Sequence, residues 1–162
     1  MLRTLPRRTT LLTAALGLTL AAAVPAAQAA PKAAANAPIT VTLTVQGPEG
    51  ALYNNTISTK GHTVTTASGG THKCDGTNNG ANTTAGATPT AALDDAAKKQ
   101  GFSWDGTWYP AYDDYFVSTI AGKNGGQEAY WSISVNGTAT PVGGCQFRIK
   151  AGDKVAFTWT EM

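Results

Sequence analysis

From Ile39 to Gln46 the chain alternates a β-branched or leucine side chain with threonine at nearly every step. A period of two predicts a strand with one buried face, Ile39, Val41, Leu43 and Val45 inward and the threonines outward. Gly47-Pro48-Glu49-Gly50 predicts a turn, Leu52 to Ser58 a second strand, and His62 to Thr66 a short third one beyond Lys60-Gly61. The pattern then lapses. Ser68 to Thr88 is rich in Gly, Asn and Thr, with Cys74 in its middle, and predicts a long surface loop.

The period changes at Thr88-Pro89, where Thr88 suits an N-cap and Pro89 the first helical position. Ala91, Ala92, Leu93, Ala96 and Ala97 form a small-residue face. Asp94 and Asp95 come early and Lys98 and Lys99 late, which predicts a solvated charged face, and Gly101 ends the helix. Such a helix is too short and alanine-rich to bury much, so the aromatics must supply most of the core. Phe102 to Tyr112 carries Phe102, Trp104, Trp108, Tyr109 and Tyr112 between Gly and Pro, as expected of an aromatic loop.

Alternation resumes at Asp114–Ala121 and Ala129–Val135, two runs that read as paired strands across a glycine-rich connector. Asn136-Gly137 is the dipeptide of a type I′ hairpin, with Thr138–Val142 as its return arm. Phe147–Lys150 predicts a short strand and Val155–Thr160 the last one, with Val155, Phe157 and Trp159 on one face. Strands, one helix and further strands give an α+β domain, a β-grasp-like mixed sheet with one short helix and hairpins.

Residues 1–29 read as a secretion signal: Arg3, Arg7 and Arg8, an apolar run from Leu11 to Val24, and the small-x-small site Ala27-Gln28-Ala29. The threonines after Arg7-Arg8 favour a general-secretion signal over a twin-arginine one. Residues 30–38, rich in Ala and Pro, are a disordered lead-in, and 39–162 are the folded domain. Without the three leader arginines the chain has nine basic and ten acidic residues. That balance excludes a basic face for nucleic acid. No later run is apolar enough for a membrane span.

Cys74 and Cys145, an even pair behind an export signal, predict one disulfide that pins the loop. With only His62 and His72 beside them, and neither a CxxC nor an HxxxH spacing, no metal is expected. There is no G-x-S-x-G nucleophile elbow. Asp105, Asp113 and Asp114 among aromatics resemble the composition of a sugar-cleaving cleft, but equally that of an ordinary strand boundary. The chain therefore reads as non-catalytic, with no cofactor.

Four motifs carry a family resemblance: Tyr115-Phe116-Val117-Ser118-Thr119-Ile120-Ala121-Gly122-Lys123, Tyr130-Trp131, Val142-Gly143-Gly144-Cys145, and Ala151-Gly152-Asp153-Lys154-Val155 leading to Trp159. With the upstream Gly70-Thr71-His72-Lys73-Cys74-Asp75-Gly76-Thr77-Asn78, this pattern over Ile39 to Thr160 resembles the transcobalamin-like C-terminal domain family of bacterial secreted domains. The resemblance implies a β-grasp fold of the soluble-ligand-binding type. In the vitamin B12 carriers this domain closes over a corrinoid held by a helical domain. The 162 residues contain no such helical stretch, so a corrinoid would meet half a site.

The resulting expectation is a secreted, extracellular, non-catalytic module for a soluble, corrinoid-like ligand or an extracellular protein or glycan. Its contacts would be Trp131, Tyr130, Trp108 and Trp104. The alternatives are an adhesive or structural cell-surface domain, and a small secreted hydrolase or hydrolase inhibitor.

Overall fold

The computed structural model describes residues 34–162, so the expected signal sequence and the first residues of the expected lead-in lie outside the described part. Strand β1 (Ile39–Gly47) forms as its alternation predicts, with Val41, Leu43 and Val45 buried. It turns into β2 (Gly50–Thr59), a longer antiparallel partner than the sequence suggested, with a register shift at Val45/Gln46. The last strand, β10 (Lys154–Glu161), lies parallel to β1, and β8 (Ala129–Val135) pairs antiparallel with β10. A two-residue strand, β9 (Thr138–Ala139), completes a mixed sheet of order β2-β1-β10-β8-β9. Asn136 and Gly137, both at positive φ, form the β8–β9 turn as predicted, but the return arm is far shorter than Thr138–Val142.

The register sets one face of this sheet. Leu43 faces Val155, Val45 faces Phe157, Phe157 faces Ile133, and Trp159 faces Trp131. All are on the inward side of a period-two ladder; Leu43, Val45, Trp131, Val155 and Phe157 form the main core with Tyr53 and Ile57, and Ile133 and Trp159 pack against it. Helix α1 (Pro89–Gln100) covers it. Thr88 Oγ1 accepts the Ala91 N–H at 3.2 Å, Pro89 opens the helix, and Gly101 closes it at φ 76°. The caps form as predicted, but the burial does not match the prediction. Ala91, Ala92, Leu93 and Ala96 are fully buried, because small side chains let the helix lie close to the sheet. Asp94 is buried too, so the charges do not form one solvated face.

Two smaller sheets complete the fold. Strand β3 (His62–Thr66) pairs with β4 (Gly70–Cys74), which occupies the stretch that read as loop. A single 3₁₀ turn follows at Asn78–Gly80, with Asn78 fully buried. Strand β5 (Trp104–Tyr109) replaces the predicted aromatic loop and pairs with β6 (Asp114–Ile120), which turns through Ala121-Gly122 into β7 (Lys123–Asn124). So β6 and β8 do not pair with each other; the glycine-rich connector carries the chain from one sheet to another. Phe147–Lys150 is not a strand. The Ile149 N–H goes instead to the Ala87 carbonyl at 3.1 Å, and the side chain is buried in the core.

Cys74 and Cys145 are joined, with Cα atoms 4.4 Å apart. The bridge fastens the end of β4 to the turn at Gly143–Gln146. With Val64 and Tyr115 it makes a second, smaller core, against which Trp104 and Trp108 pack. At the start of the described chain the Asn36 amide exchanges two hydrogen bonds with the Gly61 backbone, so residues 34–38 are tied to the body rather than free.

Candidate functional site

The four aromatics expected to contact ligand do not come together. Trp131 is buried in the main core, its Nε1 donates to the Lys123 carbonyl at 3.1 Å, and its ring stands edge-to-face with Trp159. Tyr130, the next residue on β8, points to the other face and is exposed. Trp104 is half-buried, and its Nε1 donates to Asp94 Oδ1 at 3.2 Å. Trp108 is half-buried as well. It stacks flat on His72, with ring centres 3.9 Å apart, and meets Tyr115 edge-on.

The exposed aromatics lie one residue away. Within β5–β6, Trp108 pairs with Tyr115 and both face inward, so their neighbours Tyr109 and Asp114, also paired, face outward together with Phe116. Tyr112, in the turn between the strands, adds a third exposed ring. Facing them is the Pro141–Gln146 segment with Val142. Together they line an open cleft of about 430 Å³. Among the described residues, seven large hydrophobic side chains are exposed, and four of them, Tyr109, Tyr112, Phe116 and Val142, lie in this one cleft. Such clustering marks a binding surface more than scattered exposure does.

Asp114 forms the base. Its Oδ1 accepts the Tyr115 N–H at 2.8 Å, and both carboxyl oxygens lie within 3.1 Å of the Cys145 N–H. The carboxyl therefore holds the turn that carries the disulfide. Only glycine fits at Gly143, where a Cβ would collide with Asp114 Oδ2. Burial is the main influence on Asp114 and pushes its pKa up to about 7. The backbone donors of Cys145, Tyr115 and Gln146 act the other way and do not offset it. The turn is fixed further by Gln146, whose amide donates to the Tyr112 carbonyl. Asn79, at positive φ on the rim, donates its N–H to Asp113 Oδ2 at 2.7 Å.

Both histidines have partners within the fold. His62 Nδ1 lies 2.9 Å from the Lys60 carbonyl and Nε2 2.9 Å from Asp94 Oδ2, while His72 is sandwiched against Trp108. Of the four residues expected from the sequence only Tyr130 is exposed; Trp131 is buried, and Trp104 and Trp108 are half-buried. The signal that finds the site is the alternation itself, Trp108 in and Tyr109 out, Tyr115 in and Phe116 out. A second depression of about 620 Å³, beside Trp159, is lined mainly by polar groups, including Asn124, Glu128 and Glu161.

A family model described as a domain of unknown function, DUF4430, matches residues 86–161. No curated protein matches the chain. Among solved structures, the chain is similar to one described as a "putative metal binding protein" from Ruminococcus gnavus ATCC 29149. The two are 13% identical, with a TM-score of 0.44, over 76% of this chain and 98% of that one. It is also similar to haptocorrin in complex with Cbi, at 13% identity and a TM-score of 0.47, over 80% of this chain and 27% of that one. Among the described residues no three His, Cys, Asp or Glu side chains converge as a metal site would require.

Proposed function

We propose that this chain is a secreted, non-catalytic binding module of β-grasp type, and that its soluble ligand occupies the cleft over Asp114. The observation that carries the reading is the gathering of Tyr109, Tyr112, Phe116 and Val142 around one concavity. Solvent-exposed aromatic area is unfavourable, and here it is confined to a concave site of ligand-binding size. The site stands on rigid elements: β5 and β6 on one side, and on the other a turn fastened by a disulfide and a buried carboxyl.

Secretion is supported by the leader at residues 1–29 and by the Cys74–Cys145 bridge, which suits an oxidising compartment. The β-grasp assignment is supported by the central parallel pair of first and last strands, with a hairpin and one helix packed on the inner face. A non-catalytic role is supported by His62, both of whose ring nitrogens have hydrogen-bond partners within the fold, and by His72, whose ring lies flat on Trp108. A concave aromatic site also favours a soluble ligand over the adhesive alternative, which calls for a flat patch.

The test is titration of the isotope-labelled protein with a panel of small ligands, beginning with the corrinoids that the family resemblance implies. Amide shifts that saturate and cluster in Tyr109–Phe116 and Pro141–Gln146 are expected. Ligand-induced shifts that map elsewhere, for example onto the polar depression beside Trp159, would remove the cleft as the site.

A further inference from the structure

We propose that the cleft takes an organic cation of the methylated-ammonium class, held among the rings of Tyr109, Tyr112 and Phe116. This rests on the cleft being the ligand site and goes on to name its chemistry. The Tyr109 ring centre is 6.5 Å from those of both Tyr112 and Phe116, and its plane is inclined to them by 60° and 88°. Parallel rings would cover one another's faces, whereas rings set at such angles surround a ligand from more than one direction. Each aromatic face carries the negative lobe of a quadrupole. An enclosure of several such faces attracts a cation, and most strongly one that gives up little hydration.

The other lining groups agree in sign. No Lys, Arg or His lines the cleft, and the one ionisable carboxyl in its wall is Asp114. The Asp113 carboxylate adds a negative charge one residue away, bonded to the backbone of the lining residue Asn79.

The apolar walls then select among cations. The side chains of Pro141 and Val142 carry no oxygen to replace the water around a metal ion or a bare ammonium. A methylated ammonium spreads its charge over its methyl groups, holds water weakly, and makes favourable contact with both rings and aliphatic wall. At about 430 Å³ the cleft is larger than such a head group alone, leaving room for the chain that bears it.

The experiment compares choline with 3,3-dimethylbutan-1-ol, its neutral isostere with carbon in place of nitrogen, by calorimetry and by amide shifts. Choline should bind in the cleft and the isostere about tenfold more weakly, the range expected of cation–ring attraction in a partly desolvated site. Tyr112→Leu should abolish that preference and Tyr112→Phe should keep it. Tyr112 is 67% exposed, so neither change threatens the fold. Equal affinity for the two probes within the cleft would overturn the cation class and leave the cleft as a site for neutral ligands. Binding of neither would also overturn it, and the broader ligand panel would then decide whether the cleft is a site at all.

Discussion

His62 gives the sharpest test of the interior electrostatics. Its two ring nitrogens both face acceptors at 2.9 Å, the Lys60 carbonyl and the Asp94 carboxylate. A neutral imidazole can donate to only one of them, so the fold calls for the imidazolium. The hydrogen bond to Asp94 is the main reason the His62 pKa is raised above 6.5, with burial opposing it. Asp94 is held below its usual range. Burial is the strongest influence on it and acts upward, but hydrogen bonds from His62, Lys98 and Trp104 together outweigh it. These contacts tie α1 to β3 and β5. The sign follows from proton counting: the folded state binds the extra proton, so this stabilisation is complete below pH 6.5 and lost as pH rises through the folded-state pKa. His62→Gln removes one charge-assisted hydrogen bond to a buried carboxylate, worth about 2 kcal/mol. For a domain of this size that lowers the melting temperature by about 7 °C. Melts of both proteins from about pH 5.5 to about pH 9 should show the gap at the acid end and a smaller gap at the alkaline end. A gap that stays constant across that range, or a His62 titration by NMR below 6.5, would refute the imidazolium argument.

Asp114 predicts a second pH effect. The pKa rises from 3.8 to about 7 on folding, so the native state binds more protons over that range and stability falls as pH climbs through it. Asp114→Asn should remove that fall, as read from the wild-type-minus-variant difference in urea midpoints; an unchanged difference from acid to neutral pH would contradict the assignment. The disulfide closes a separation of 71 residues, for which loop entropy gives about 4 kcal/mol. The double change Cys74→Ser and Cys145→Ser should lower the melting temperature by about 15 °C; a melting temperature that does not move would mean the bridge adds no stability. Trp131→Ala should cost about 4 kcal/mol as a core truncation, while Tyr130→Ala, on the exposed face of the same strand, should stay within about 0.5 kcal/mol. Comparable losses at the two positions would contradict the assignment of the inward face.

The parts of the fold legible in the sequence are those decided by local chemistry. The Ile39–Gln46 alternation fixes which face of β1 is buried, Thr88-Pro89 and Gly101 bound the helix, and Asn136-Gly137 makes its turn. The parts that were not legible depend on partners. Strand β4 has little apolar alternation to announce it. Its strand state comes from pairing with β3, where Thr65 Oγ1 and Thr71 Oγ1 lie 2.9 Å apart across the ladder, and from the disulfide at its end. The split of β6 and β8 into separate sheets is equally hidden, because alternation marks a strand without naming its neighbour. Phe147 and Ile149 show the reverse case: a strand-like pattern whose apolar residues serve as anchors and whose backbone joins no ladder.

The cleft failed to show in the sequence for a related reason. The aromatic density of Phe102–Tyr112 pointed to the right region but not to the right side chains. With that stretch taken as a loop, neither face of it can be assigned, and nothing divides Trp104 and Trp108 from Tyr109. Once β5 pairs with β6, a period of two divides the same residues cleanly. Trp108 and Tyr115 turn inward to the disulfide, and Tyr109, Asp114 and Phe116 turn outward to the cleft. The two sets are mechanically coupled. The inward pair packs on Cys145, Asp114 holds the backbone of that same cysteine, and the turn so fixed carries Gly143 and Val142 to the opposite wall. Loss of the disulfide should therefore loosen ligand binding as well as stability, because one wall of the cleft is positioned by the bond that closes the smaller core.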